Sequence, residues 1–121
     1  GVPHPPAGRI ETRLVERADG TVHSTRQIGK GERAITEYAV LKTEGKLSLV
    51  RIVLHTGRKH QIRVHLAGRG TAVVGDALYG PSDGARHLML AAVQLTIVHP
   101  RTGRQMIFKL PLPKEFPVRE Q

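Results

Sequence analysis

The 121-residue sequence predicts a single domain of the α+β class, with a mainly antiparallel mixed sheet and one inserted helix. Residues 35–42 and 47–55 are rich in β-branched side chains, and a short glycine-containing stretch between them is typical of a hairpin turn. From about residue 59 to residue 68 the apolar period becomes helical, and glycines then provide a C-terminal stop. This change of period predicts the helix.

Further strands are predicted on both sides of this centre, at residues 9–15, 21–28, 88–98 and 106–110. The last two form a second hairpin across residues 99–103. Residues 1–8 are a proline-rich lead-in, and residues 114–121 are a tail that leaves the sheet. The opening does not resemble a native N-terminus, so we expect the chain to be part of something longer.

The charge balance indicates the kind of partner. Nineteen Lys and Arg stand against ten Asp and Glu, a net charge of +9, which points to a polyanion such as nucleic acid. The alternative is that the charge serves solubility alone. The absence of cysteine excludes disulfides and thiolate metal sites. No apolar run approaches the roughly 20 residues of a membrane span, and no signal-peptide pattern is present, so we expect a cytoplasmic protein without membrane contact.

The predicted helix carries an arginine on its apolar side. At about 100° per residue, Arg63 falls between Leu66 and Ala67, whereas Gln61 and His65 fall on a polar arc. A buried guanidinium stays protonated and needs a carboxylate or phosphate nearby. The sequence therefore predicts that Arg63 binds an anion. The alternative is that its side chain extends past Leu66 to water.

Three other groups of residues are candidates for function. Arg58 and Lys59 lie where the helix should begin, which suits either a phosphate or a solvated turn. The spacing of the two helical histidines excludes a shared metal, so we predict no metal site. Among the carboxylates, only Asp76 lies in an organised, mostly apolar stretch, where a structural role in a turn or an ion pair is favoured.

Residues 54–80 read LHTGRKHQIRVHLAGRGTAVVGDALYG, which closely resembles the C-terminal signature of RluA-type pseudouridine synthases, TGR-x-HQ-[IL]-R-V-H followed by G-x-x-[IV]-[VIL]-GD-x-x-Y. Residues 34–38 resemble the family's A-x-T-x-Y strand, and residues 95–100 and 108–113 resemble its closing hairpin. Ahead of that hairpin the family usually has Arg-x-x-Leu-His-Ala, whereas Ala91 stands here in place of the histidine. The chain therefore departs from the family pattern on that strand.

The resemblance implies an enzyme that isomerises uridine in rRNA or tRNA to pseudouridine without a cofactor. The family's catalytic aspartate, in a His-Arg-Leu-Asp motif, belongs to an N-terminal half that this chain lacks, and the position matching its ion-pair partner is Arg63. We accordingly expect residues 1–121 to be the C-terminal portion of the catalytic domain and to be inactive alone. The expected RNA-binding residues are Arg58, Lys59, His60 and Arg69, and the expected supporting residues are Gln61, Asp76 and Tyr79.

Two other classes of function remain open. One is a stand-alone RNA-binding module that kept the scaffold and lost the chemistry, and the other is a small ribosomal or assembly protein. The expected partners are RNA and the missing N-terminal half. A half-domain should also expose an apolar face or edge, which predicts self-association through the exposed sheet edge.

Overall fold

A computed structural model describes residues 1–120 of the chain. It contains six strands and one helix: β1 (Ala7–Glu16), β2 (Val22–Thr25), β3 (Glu32–Glu44), β4 (Leu47–Leu54), α1 (Gln61–Gly68), β5 (Gln94–Val98) and β6 (Gln105–Lys109). The α+β prediction with one inserted helix is confirmed. No helix in this part of the chain is long and apolar enough to cross a membrane.

Four strands form the main sheet in the order β2-β1-β3-β4, with every neighbouring pair antiparallel. The long strand β3 is central because it pairs with β1 on one side and with β4, its hairpin partner, on the other. Its register shifts between Val40 and Lys42, where a bulge interrupts the ladder with β4. The predicted central hairpin is therefore present.

Helix α1 packs on this sheet and forms the core with it. Leu14, Val22, Ala34 and Val64 make one buried cluster, and the ring of Tyr79 packs against it. These residues come from β1, β2, β3 and α1 respectively, and Tyr79 belongs to the irregular segment that follows the helix. Burial of each large aliphatic side chain contributes about 1.5–3 kcal/mol. The cluster therefore fixes the position of α1 over the sheet.

Several boundaries differ from the prediction. Strand β1 begins at Ala7, inside the expected lead-in, and α1 begins at Gln61 because His60 leaves the helical region with φ 56°. Residues 88–93 are not a strand, which corrects the expected 88–98. The backbone N–H of Met89 donates to the Val74 carbonyl instead, so this segment runs beside residues 71–80 without joining a ladder.

The two ends of the chain pack unequally. Strands β5 and β6 form a separate two-stranded sheet whose side chains are nearly all exposed. In the expected tail, by contrast, Val118 is buried, and the Arg119 guanidinium donates to the carbonyls of Leu112 and Pro113. The last residue of that tail, Gln121, lies outside the described residues.

Candidate active site

Arg63 projects from α1 into a two-pronged ion pair with Asp76. Its Nε donates to Asp76 Oδ2 at 3.0 Å, and its Nη2 donates to Asp76 Oδ1 at 2.8 Å. The Asp76 side chain is fully buried, whereas 19% of the Arg63 side chain is exposed. The planar fork of a guanidinium matches a carboxylate in this geometry, which fixes its direction as well as its charge.

The loop that holds Asp76 is shaped by a glycine and by the aspartate itself. Gly75 has φ +85°, and a Cβ at this position would collide with the carbonyl group of His87, so only glycine fits. Asp76 Oδ1 accepts the backbone N–H groups of Leu78 and Tyr79 at 3.2 and 3.1 Å. Asp76 therefore closes its own turn while it binds Arg63.

Tyr79 and His60 border the same guanidinium. The Arg63 guanidinium carbon lies 5.1 Å from the centre of the Tyr79 ring, within the range of a cation–π contact. The Tyr79 hydroxyl accepts the backbone N–H of Val22 at 2.9 Å and lies 2.7 Å from His60 Nδ1. The Tyr79 hydroxyl can then donate its proton to His60 Nδ1. We therefore assign His60 the neutral tautomer in which Nδ1 accepts and Nε2 carries the hydrogen.

The electrostatics of the cluster follow from this geometry. The hydrogen bonds from Arg63 hold the pKa of the Asp76 carboxyl below its usual range, against the opposing effect of burial. The same bonds raise the pKa of Arg63. Burial, followed by the neighbouring positive charges of Arg63 and Lys59, lowers the pKa of His60. The pair is therefore ionised and His60 is neutral at pH 7.

The position of Asp76 corrects one expectation. The resemblance placed the ion-pair partner of Arg63 in an N-terminal half outside this chain, but Asp76 pairs with Arg63 within the chain, in the structural role that was favoured for Asp76. Arg63 Nη1 makes no hydrogen bond among residues 1–120, and it is not sealed from solvent. One edge of the guanidinium is thus occupied by Asp76, and a second edge is open to another acceptor.

A buried chain of hydrogen bonds holds α1 on the sheet. Gln61 Nε2 donates to Thr36 Oγ1 at 2.9 Å and to a backbone carbonyl of β3. Thr36 Oγ1 lies 2.7 Å from His65 Nδ1, and His65 Nε2 lies 2.9 Å from Thr12 Oγ1. Every side chain in this chain of hydrogen bonds has a partner when His65 is neutral with hydrogen on Nε2. Burial lowers the pKa of His65, which favours this neutral form.

This chain of hydrogen bonds was missed in the sequence. Gln61 and His65 were assigned to a polar arc, but they are 3% and 2% exposed, respectively. Their partners, Thr12 and Thr36, lie in strands β1 and β3. Threonine is common in strands because it is β-branched, so its presence there did not indicate a hydrogen-bond partner for the helix. The available signal was the spacing of Gln61 and His65, because residues four apart lie side by side on a helix.

The expected RNA-binding residues do not form one cluster. Lys59 Nζ lies 3.0 Å from Glu16 Oε2, and Arg58 Nε donates to the Arg33 carbonyl at 3.2 Å, so both cations are engaged on the surface. Arg69 is exposed at the opposite end of α1. Since an eight-residue helix is about 12 Å long, Arg69 is separated from the other two by that distance.

Within residues 1–120, no group of three or more His, Asp or Glu side chains is placed to hold a metal ion. The cluster of Arg63, Asp76, Tyr79 and His60 differs from the buried chain of hydrogen bonds because it is charged and partly exposed. A buried, fixed arginine with an open edge, carried by a basic α+β domain, is an arrangement suited to receive an anionic group.

Comparison with known proteins defines the family. Residues 2–68 match the family model of RNA pseudouridylate synthases. An uncharacterized RNA pseudouridine synthase of Chloroflexus aurantiacus is 46% identical over 91 residues, which cover 73% of this chain and 29% of that protein. The dual-specificity RNA pseudouridine synthase RluA of Vibrio cholerae is 42% identical over 76 residues, which cover 60% of this chain and 31% of that protein.

A solved structure agrees with this similarity. Human RNA Pseudouridylate Synthase Domain Containing 1 superposes with a TM-score of 0.74 at 25% identity, over 89% of this chain and 49% of that one. The chain belongs to the RNA pseudouridylate synthase family, and within it to the RluA type. It spans about a third of the curated relatives described above and about half of the solved one.

Proposed function

We propose that this chain is the arginine-bearing C-terminal portion of an RNA pseudouridine synthase and is inactive alone. In the proposed reaction the N1–C1′ bond of a uridine breaks and the uracil turns in the pocket. C5 then bonds to C1′, the C5 proton leaves, and N1 takes up a proton. The target uridine must leave its base stack to reach the site. We propose rRNA or tRNA as the substrate, in the cytoplasm, and no cofactor.

The observation that carries this proposal is the open edge of Arg63. Asp76 and Tyr79 fix the guanidinium, so its free Nη1 has a defined direction instead of the many rotamers of a surface arginine. A second carboxylate bound there would have a depressed pKa and would stay ionised at neutral pH. We assign Arg63 that role toward the catalytic aspartate of the N-terminal half.

RNA contact is assigned to the basic surface around α1. The net charge of +9 favours a phosphate backbone as partner. Three of the assigned residues, Arg58, Lys59 and His60, precede the helix that carries Arg63, and Arg69 follows it. Lys59 lies next to Glu16, and Arg58 lies next to Glu32. A phosphate that bound either cation would have to compete with that carboxylate. We expect Arg69, which is exposed at the other end of the helix, to contact phosphate most simply.

The test joins the chain to the part of the Chloroflexus relative that lies outside the matched region and measures pseudouridine in rRNA and tRNA. Activity is expected from the joined protein, and none from the 121-residue chain. Arg63→Gln is expected to lower kcat by at least about 100-fold, the usual scale for loss of one charged hydrogen-bond donor in a site. Arg17→Gln, an exposed change of the same charge, is the control.

A second candidate function is a stand-alone RNA-binding module. It is favoured by the net charge of +9. This module would bind RNA with an affinity that falls steeply with salt, and Arg63→Gln would weaken binding no more than Arg17→Gln does. Salt-sensitive binding combined with an inactive joined protein would select the module over the synthase.

A further inference from the structure

The face of the main sheet that points away from α1 is charged. Thr12 and Leu14 of β1 point toward α1, because Thr12 lies beside His65 and Leu14 joins the buried core. Side chains alternate between the two faces along a strand, so Glu11 and Arg13 point away from α1. This outer face carries none of the residues assigned above to catalysis or RNA contact.

Arg13 and Arg33 are direct neighbours on the outer face. The register opposes them across β1 and β3, where Cβ atoms lie about 4.5–5.5 Å apart. Two like charges placed in this way destabilise a sheet when nothing between them neutralises the charge. The two arginines line an open basin together with Glu11, Thr12 and Arg26. Three guanidinium groups therefore share this basin with one carboxylate.

The basin arginines have different partners. Arg13 Nε and Nη2 donate to the backbone carbonyls of residues 30 and 31 at 2.7 and 2.8 Å, which fixes the guanidinium against the β2–β3 loop. Arg33 Nε donates to Glu11 Oε2 at 2.7 Å. Arg26 directly follows β2 and is exposed. Within residues 1–120, neither Arg13 nor Arg26 has a carboxylate close enough for an ion pair.

Glu11 does not neutralise the basin. Its two carboxylate oxygens are divided between Arg33 at 2.7 Å and Arg9 at 3.1 Å. The hydrogen bonds from Arg33 and then Arg9 hold the pKa of Glu11 below its usual range, so this carboxylate is ionised at pH 7. The positive charges of Arg13 and Arg26 are left unbalanced. A phosphate, with several acceptor oxygens, suits two or more guanidinium groups in such an arrangement.

The basin is continuous with the helix that carries Arg63. Arg58 Nε donates to the backbone carbonyl of Arg33 at 3.2 Å, and only residues 59 and 60 separate Arg58 from the start of α1. Cations therefore extend from the outer face, past the beginning of β3, to the beginning of α1. A strand with many phosphates can follow such a path, whereas a free phosphate ion would occupy one point of it.

We propose that the basin of Arg13, Arg26 and Arg33 binds backbone phosphates of the RNA strand that flanks the target uridine. The basin lies across the sheet from α1, so it extends the RNA contact beyond the two ends of that helix. This inference rests on RNA as the proposed partner. It does not rest on the isomerisation, and it holds for both candidate functions.

The experiment measures the affinity of the 121-residue chain for a mixed-sequence single-stranded RNA by fluorescence anisotropy at several salt concentrations. Arg26→Gln combined with Arg33→Gln is expected to weaken binding at low salt by at least about 10-fold. The slope of log K against log salt concentration should become shallower by about 1.4, because each phosphate contact on a single strand contributes about 0.7. Glu11 keeps Arg9 as its partner in this variant, so the urea unfolding curve should stay unchanged.

The matched control is Arg101→Gln combined with Arg104→Gln. It removes the same charge from the exposed turn between β5 and β6 and is expected to change the affinity by less than about 3-fold. Equal weakening by the two double variants would overturn the proposal, because net charge alone would then account for binding. Inorganic phosphate is expected to compete with RNA no better than chloride at the same ionic strength. Much stronger competition by phosphate would identify a site for the free ion and would also overturn the proposal.

Two further measurements separate this inference from the reaction. In the unsubstituted chain, RNA is expected to shift the NMR amide signals of residues 26–33 and to leave those of residues 99–104 in place. In the joined protein, the Arg26 and Arg33 double variant should raise KM for RNA by at least about 10-fold with kcat unchanged, since phosphate contacts outside the reacting nucleotide stabilise the bound RNA and the transition state equally. Unchanged KM in an active joined protein would sink the inference and leave the proposed function standing. An inactive joined protein whose RNA binding still depends on the basin would do the reverse.

Discussion

The main sheet with α1 and the β5–β6 hairpin belong to the same chain but differ in how far their side chains are buried and hydrogen-bonded. In the first region Thr36 is fully buried, Gln61 and His65 are nearly so, and all three are bonded to partners within the chain. In the second, Leu95 and Phe108 are about half exposed and contact little beyond their own hairpin. Within residues 1–120, the first region leaves one buried side-chain polar atom, His23 Nδ1, without a hydrogen-bond partner, and the second leaves large apolar side chains uncovered.

This contrast separates folding from assembly. Removing the partner of a buried polar group in the first region is costly, because an unsatisfied group costs about 1–3 kcal/mol. A region whose apolar side chains are already in water loses little when one is removed. The site of Arg63 lies in the region of the main sheet and α1. Asp76 fixes one edge of the guanidinium, and the other edge is free to donate a further hydrogen bond.

The largest effect is expected for Asp76→Ala. The substitution leaves the Arg63 guanidinium largely buried without its counter-ion and removes the acceptor of the turn at residues 76–79. We expect the free energy of unfolding to fall by about 3 kcal/mol, measured by urea denaturation followed by circular dichroism. Glu44→Gln, which breaks the exposed pair with Lys42, should change it by less than about 1 kcal/mol. Equal effects would show that Arg63 is not held by Asp76.

The next effect concerns the buried hydrogen bonds. Thr36→Val keeps the shape of the side chain but leaves Gln61 Nε2 and His65 Nδ1 short of a partner. We expect a loss of roughly 1–3 kcal/mol in the free energy of unfolding. Thr43→Val, on the same strand but exposed, should be nearly neutral. If Thr36→Val were neutral too, the main region would not depend on its polar network.

How far the sequence predicted the molecule depends on the kind of information each part required. The central hairpin and the helix were predicted because β-branched runs, glycine turns and a change of apolar period are local signals. The ion pair between Arg63 and Asp76 was only partly foreseen. The helical position of Arg63 indicated a need for an anion, but the turn that brings Asp76 to it depends on Gly75 packing against His87.

The failures are of a different kind. Residues 88–93 are apolar enough for a strand, yet whether they join a sheet depends on a neighbouring strand that periodicity does not specify. The burial of His65 depends on Thr12, which is more than fifty residues away in the sequence. Contacts at that separation are set by the tertiary fold, so a local pattern does not predict them.

A smaller effect is expected from pH. Burial, followed by the charge of Arg69, lowers the pKa of His65 below its ordinary 6.5. As the pH falls, His65 is therefore protonated in the unfolded chain before it is protonated in the folded chain. The free energy of unfolding is therefore highest above the ordinary pKa of 6.5, and it falls as the pH drops below that value. His65→Gln is expected to flatten this slope between about pH 7 and pH 5, and His60 accounts for part of the remainder. An unchanged slope in denaturation curves would contradict the neutral buried histidine.

The smallest expected effect is the most direct test of the contrast between the two regions. Phe108→Ala removes a large ring, but that ring is half exposed, so the free energy of unfolding of the 121-residue chain should fall by no more than about 1 kcal/mol. Leu14→Ala removes fewer atoms from a side chain that is 5% exposed and should cost roughly 2–4 kcal/mol. If Phe108→Ala were as costly in the chain alone, the hairpin would already be packed, and the open face would not exist.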